Sequence, residues 1–382
     1  MNILFVAISC TVLQTMGQTD KKTWKDAESQ VNLLYKEAMT SRVKQQVFPR
    51  TVNNDSVKLV VSNDWTSGFW PGILWFMYEY TGKQEWKTRA GEFTALMERE
   101  PKNRNSHDVG FKVYNSYGNG WRLAGDEAYK KQVIQGAVTL STRFSPVTGC
   151  IKSWDFPQWQ YPVIVDNMMN LELLFAATRL THDSSFYKIA VSHANTTLKN
   201  HFRPDHSSYH VVDYDTLTGK VIGKTTHQGY AKESAWARGQ AWGLYGYTMC
   251  YRETKDPAYL KQAELIAAFI LNNPNLPADM IPYWDFNAPD PAKEPRDASA
   301  AAIIASALYE LKNYSALGKQ YRKTADRIMK SLVGQYRSAP GGSKGFILLH
   351  STGNKPAKGE VDVPLIYADY YFLEALLRRQ KK

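Results

Sequence analysis

The chain has 382 residues and a mass of 43.4 kDa, and its 43% hydrophobic and 22% charged residues are those of an ordinary soluble protein with ample material for a packed core. Its formal charge of +11 favours anionic partners. The Lys and Arg residues are dispersed, with no basic arm, zinc-finger or RNA-binding signature, so nucleic acid is excluded and a polyanionic carbohydrate fits the same field.

Residues 1–19 read as a signal peptide: Ile3 to Leu13 is mostly apolar, and the small residues around Thr15-Met16-Gly17 precede the polar Gln18-Thr19-Asp20-Lys21. This places the mature chain in the periplasm or outside the cell. Cys10 sits in a poor lipid-attachment box, so cleavage is preferred to a lipoprotein anchor. The remaining cysteines, Cys150 and Cys250, are too few for a disulfide framework and lack metal spacing. No later segment reaches the roughly 20 apolar residues of a membrane span. No linker divides residues 20–382, which are expected to form a single catalytic domain.

Four connectors repeat along the chain: Tyr80-Thr81-Gly82-Lys83-Gln84-Glu85-Trp86, Leu123-Ala124-Gly125-Asp126-Glu127-Ala128-Tyr129, Leu180-Thr181-His182-Asp183-Ser184-Ser185-Phe186 and Glu253-Thr254-Lys255-Asp256-Pro257-Ala258-Tyr259. Each ends one helical pattern and opens another, with Asp, where present, placed to cap the second helix. Reading outward from them predicts helices near 24–41, 84–98, 127–143, 184–200, 257–273 and 318–333 with one polar face. A second series, near 68–80, 109–124, 167–180, 239–253, 298–312 and 363–378, is apolar nearly all round. Strands are predicted only at Ser208–Tyr214 and Val221–Thr225, around the Thr218-Gly219 turn.

Six apolar helices alternating with six amphipathic ones fit a closed ring of hairpins, although an open helical solenoid shows similar alternation. In a ring, the N-terminal ends of the inner helices meet at one mouth. There lie Asp64-Trp65, His107-Asp108, Asp166-Asn167, Trp236-Ala237-Arg238, Arg296-Asp297 and Glu360-Val361-Asp362. Asp166, after the β-branched Val163-Ile164-Val165, and Asp108 each read as a helix cap. Facing one cleft, the two carboxylates are also the minimum equipment for acid/base chemistry on a sugar. The many Trp and Tyr residues suit carbohydrate stacking as well as core packing.

Five motifs in this order, Gly68-Phe69-Trp70-Pro71-Gly72, His107-Asp108-Val109-Gly110-Phe111, the Val165–Asn170 run VDNMMN, the Trp236–Trp242 run WARGQAW and the Tyr367–Leu376 run YADYYFLEAL, resemble the unsaturated glucuronyl hydrolases of glycoside hydrolase family 88. The resemblance spans residues 64 to 376. It implies an all-α fold, an (α/α)6 toroid or six-hairpin barrel. It also implies substrates left by polysaccharide lyases, oligosaccharides of chondroitin, hyaluronan or heparin and heparan sulfate ending in a 4,5-unsaturated uronic acid. On this pattern Asp166 is the general acid/base and Asp108 the assisting carboxylate. Arg238, Trp242, His210 and Gln228 fall on substrate-contacting positions, and Trp65 and Trp154 on stacking ones. His107 is a substrate donor or an orienting partner, and the His350–Lys355 loop is placed to touch a second sugar or a sulfate. Neither a cofactor nor a metal is implied, the spacing of His201, His206 and His210 fits no zinc motif, and no obligate protein partner is indicated. Competing readings are a rhamnogalacturonyl hydrolase acting on pectin fragments, a non-catalytic carbohydrate-binding toroid and, less favoured for want of a pair of base histidines, a sugar epimerase.

Overall fold

Helix α1 (Ile3–Thr40) leads into a hairpin of β1 (Phe48–Asn53) and β2 (Ser56–Val60). This computed structural model describes residues 3–381, with side chains from Asp20 onward; the predicted signal peptide, with Cys10, lies outside the described side chains. After β2 the chain alternates between two helical layers. Helix α2 (Phe69–Thr81) is followed by α3 (Gln84–Ala95), and a π-helix (Gly110–Gly118) continued by α4 (Asn119–Ala124) is followed by α5 (Glu127–Ser141). Two short strands, β3 (Phe144–Ser145) and β4 (Cys150–Ile151), then pair, and β5 (Pro162–Ile164) precedes a tight 3-10 helix (Val165–Asn170). Next come α6 (Leu171–Thr181), α7 (Ser184–Asn200), strands β6 (Val211–Tyr214) and β7 (Val221–Thr225), and helices α8 (Ala237–Thr254) and α9 (Pro257–Leu271). Helices α10 (Ala298–Leu311), α11 (Gly318–Gln335) and α12 (Ile366–Gln380) complete the series.

The four repeated connectors build one turn. Gly82, Gly125, His182 and Lys255 each adopt a left-handed conformation, φ 59° to 68°, which lets the helix stop. One residue on, Asp126, Asp183 and Asp256 accept a hydrogen bond from the second backbone N–H of the next helix. Such caps stabilise a helix by about 1 kcal/mol each. The inner elements α2, the π-helix, α6, α8, α10 and α12 pack each on the next, and α12 also packs on α2, which closes the circle. Every residue of α10 is buried, including six alanines whose small side chains let it lie close against α8, α11 and α12.

The layers match the predicted series, but several local features differ, among them the unpredicted short strands β3, β4 and β5. The inner segment 109–124 is not a regular helix: it starts as a π-helix, whose wider turns bring Tyr114 against Gly118, where a Cβ would stand 2.6 Å from the ring. The segment after Val165 is a 3-10 helix, and Asp166 lies inside its first turn instead of capping it; Asp108 likewise makes no side-chain cap. The β1–β2 hairpin has no counterpart among the predicted strands. Its turn uses Asn54 and Asp55 at positive φ without any glycine, so the strongest hairpin signal is missing.

One close approach sets the geometry of the mouth. Gly110 lies so near Asn170 that an added Cβ would sit 2.5 Å from its Cα, and Asn170 Oδ1 accepts the Phe111 N–H at 3.1 Å. The π-helix and the 3-10 helix are thereby locked together. A Gly110→Ala variant is expected to lose about 1–3 kcal/mol of stability by overpacking, seen as a lower unfolding temperature in calorimetry. An unchanged transition would show that this contact is slack.

Candidate active site

Strand pairing brings the first two groups together. β5 runs antiparallel to β6 with Ile164 opposite Val211, and the Val165 N–H donates to the His210 carbonyl at 3.0 Å. Asp166 therefore emerges beside His210, with Asp166 Oδ2 3.5 Å from His210 Nε2. The contact between Gly110 and Asn170 then sets His107 and Asp108, at the start of the π-helix, against the same space, where His107 Nε2 lies 3.2 Å from Asp108 Oδ1. A hollow of about 80 Å³ is lined by Asp166, Asp108, His107, Trp65, Trp154, Gln228 and Arg238, together with Phe111 and Ile164. It adjoins a second hollow of about 210 Å³ that shares Trp65, Trp154, Gln228 and Arg238.

Two polar atoms of residues lining the small hollow, Asp166 Oδ2 and His107 Nε2, are buried and have no hydrogen-bond partner, and neither has His210 Nε2 beside Asp166. Buried polar groups are almost always satisfied, so unpartnered atoms of Asp166 and His107 at one hollow mark a place suited to a ligand. The tautomer of His210 follows from its neighbours. Its Nδ1 accepts the backbone N–H groups of His227 and Gln228, both at 3.2 Å, so the ring proton is on Nε2, facing Asp166. Burial, with His227 and Arg238 nearby, holds the His210 pKa well below the ordinary value, and the ring stays neutral.

Asp166 is altered in the opposite sense. Burial raises its pKa from 3.8 to about 7, and the negative charge of Asp108 adds to the rise. The charge of Arg238 and the Trp242 indole act in the opposite direction and do not overcome it. A carboxylic acid that still carries its proton near neutrality can donate it.

The remaining predicted residues divide. Trp65 and Trp154 line both hollows; Trp154 stacks on Phe156 and Trp159 at centroid distances of 5.3 and 5.5 Å. Gln228 also lines both and donates from Nε2 to the Gly353 carbonyl at 3.0 Å. Arg238 borders the space, but its guanidinium is held by Asp297 at 2.9 Å and by the carbonyls of Thr352 and Gly353. Trp242 is fully buried and lines neither hollow; it packs between Phe111 and Tyr371 and reaches Asp166 from behind. Of the His350–Lys355 loop, Gly353 and Asn354 wall the larger hollow, while the exposed His350 pairs with Asp362 at 2.7 Å. Asp297 caps α10, and His201 bonds the Val163 carbonyl at 3.0 Å.

Sequence reasoning does not single out Tyr367, Arg50, Phe156 and His227, which line the larger hollow, or Trp236, whose ring lies 4.5 Å from that of His210. Trp236 and Tyr367 stand in the WARGQAW and YADYYFLEAL motifs, which is the signal that could have found them. Arg50 carries none, because β1 brings it in from a hairpin that the strand pattern does not predict.

The model of Glycosyl Hydrolase Family 88 matches residues 37–376. The chain belongs to this family. It is 46% identical to the unsaturated glucuronyl hydrolase of Formosa agariphila, over 99% of this chain and 97% of that one. It is 33% identical to the unsaturated chondroitin disaccharide hydrolase of Streptococcus agalactiae, over 87% of this chain and 85% of that one. Among solved structures, an unsaturated glucuronyl hydrolase specific for heparin superposes with a TM-score of 0.90 at 48% identity, covering 94% of this chain and 97% of the other. The chain is a glycoside hydrolase.

The raised pKa of Asp166 has a consequence for stability. Between the ordinary 3.8 and the folded value of about 7, the native state holds a proton that the unfolded chain has released. Stability therefore falls as pH rises across that window, by at most about 1.4 kcal/mol per pH unit. Asp166→Asn is expected to unfold at a higher temperature than the wild type at pH 8, with the gap narrowing toward pH 4. A gap independent of pH would mean that Asp166 is already ionised in the native protein.

Proposed function

We propose that this enzyme removes the terminal 4,5-unsaturated uronic acid from lyase-generated glycosaminoglycan oligosaccharides, with Asp166 as the general acid/base and Asp108 as its helper. The observation that carries the assignment is the buried carboxyl of Asp166, with a pKa near 7 and one oxygen unpartnered toward the hollow. The C4=C5 bond is a vinyl ether, activated by protonation at carbon and not by attack of a nucleophile. The Asp166 carboxyl gives its proton to C4, and the π pair becomes the new C4–H bond. A water then adds its oxygen to C5 and returns a proton to the Asp166 carboxylate. The hemiketal at C5 opens to a ketone, which turns C1 into a hemiacetal that releases the remaining sugar. His210, neutral with Nε2–H toward Asp166, is placed to orient the carboxyl or the water, and Asp108 raises the affinity of Asp166 for its proton.

Trp65 and Trp154 supply apolar faces for the sugar rings, with His107 and Gln228 as polar contacts. We read the closed circle of inner helices wrapped by outer ones as the (α/α)6 toroid of a single catalytic domain. Heparin-derived disaccharides are the first substrates to expect: the likeness to the heparin-specific hydrolase supports this, as does the net charge of +11. The apolar residues 3–13 and the small residues before Gln18 support export to the periplasm. Terminal sequencing of the exported chain should begin near Gln18; recovery of an uncut chain from the cytoplasm would rule that out.

Loss of the unsaturated uronate's ultraviolet absorbance follows turnover directly. On a panel of sulfated and unsulfated disaccharides from heparin, chondroitin and hyaluronan, with pectin fragments as control, the wild type should turn over at least one glycosaminoglycan product. Asp166→Asn should lose about 10²–10⁴ in kcat with binding largely retained. Turnover of pectin fragments alone would overturn the substrate class, and an active Asp166→Asn would overturn the mechanism. In Asp108→Asn, removal of a neighbouring negative charge should move the alkaline limb of kcat/KM to lower pH, by up to about one unit. A limb that stays in place would show that Asp108 acts otherwise.

A further inference from the structure

Inside the circle of inner helices, four aromatic rings form a cross-wall. Phe69, Phe111, Trp242 and Tyr371 touch in a closed cycle, with successive centroids 5.6, 5.2, 5.3 and 6.0 Å apart. The acid/base hollow lies against Phe111 on one side. On the other side, toward the C-terminal ends of the inner helices, is a separate cavity of about 360 Å³, and among the described residues Phe111 alone lines both.

The chemistry of this far cavity is unlike that of the catalytic mouth. Its cations are matched by anions one for one. Arg122 is paired with Glu79 at 2.6 Å, Arg378 with Glu310 at 2.9 Å, and Arg252 with both Glu310 and Glu172. Lys381 faces Glu79 at 3.7 Å, and Glu374 accepts from the Tyr245 hydroxyl at 3.0 Å. With four basic and four acidic side chains in the wall, the cavity holds no net formal charge and offers an anion or a cation no unpaired counter-charge. Tyr245, Tyr309, Tyr314, Tyr370 and Tyr371 supply aromatic faces between these pairs.

A further observation points to a ligand. Asn115, on the π-helix, lines the cavity and is 9% exposed, and its Nδ2 has no hydrogen-bond partner. Its Oδ1 is already engaged, accepting from the Tyr370 hydroxyl at 3.2 Å, so what remains is an unspent donor in a wall of paired charges. Aromatic faces together with donors and acceptors, and no net charge, are complementary to a neutral polyhydroxylated ring. Its C–H face stacks, and its hydroxyls bridge carboxylate and guanidinium.

We propose that this far cavity is a second saccharide site, taking a neutral pyranose-sized sugar, distinct from the catalytic cleft and closed off from it by the four-ring wall. The test uses the full chain labelled with ¹³C-methyl methionine and N-acetylglucosamine as the probe. Met169 lines the far cavity and neither catalytic hollow, and its resonance is assigned from a Met169→Leu variant. A saturable shift of the Met169 methyl is expected, with a Kd of about 1–10 mM as for a small neutral ligand. Asn313→Trp, at an exposed position on the cavity rim, should abolish that shift while leaving the wild-type fold and turnover intact. No shift up to about 100 mM sugar, or a shift that survives Asn313→Trp in a folded protein, would overturn the proposal.

Discussion

The site depends on keeping one carboxyl dry. Asp166 has a pKa of about 7 because it is buried, and it is buried because β5 pairs with β6 and the adjoining 3-10 helix is locked to the π-helix at Gly110. Arg238 is close enough to pull the pKa back toward the ordinary range, yet its guanidinium is tied to Asp297 and to two carbonyls of the Thr352-Gly353 turn. That tether holds the opposing charge in place, and burial prevails. The same burial keeps the His210 ring neutral, with its Nε2–H toward Asp166.

The hairpin architecture serves this arrangement by dividing labour among aspartates. Asp126, Asp183 and Asp256, exposed in the connectors, spend their carboxylates as caps, and the buried Asp297 caps α10 while holding Arg238. Asp108 and Asp166 make no cap bond, and Asp166 Oδ2 stays without a hydrogen-bond partner. The π-helix contributes in a second way. Its N-terminal end carries Asp108 toward one side of the aromatic wall, and its later residues, Tyr114 and Asn115, line the cavity on the other. An element that touches both compartments is where their properties would be linked, and π-helical segments are often found at functional sites.

The layered helices and the residues of the mouth are legible in the sequence because both obey local rules. Amphipathic period gives the outer helices, all-round apolarity gives the inner ones, and the repeated Asp-capped connectors set their order. What cannot be read locally is what two distant segments decide together. Asp108 and Asp166 look like caps from their flanking residues, and only the contact between Gly110 and Asn170 shows that their helices start irregularly. Trp242 looks like a substrate-contacting residue from its motif, but it packs between Phe111 and Tyr371 and lines neither hollow. The β1–β2 hairpin is hidden by a turn of Asn54 and Asp55, and Arg50 is hidden with it.

The central claim is that Asp166 keeps its proton near neutral pH in the free enzyme, and a direct titration tests it. With aspartate side-chain carboxyls labelled with ¹³C, the wild type should show one carboxyl resonance titrating near pH 7 that is missing from Asp166→Asn. If every aspartate whose resonance disappears in that variant titrates below about pH 5, in the ordinary range, Asp166 is ionised in the resting enzyme and the proton donor must be sought elsewhere.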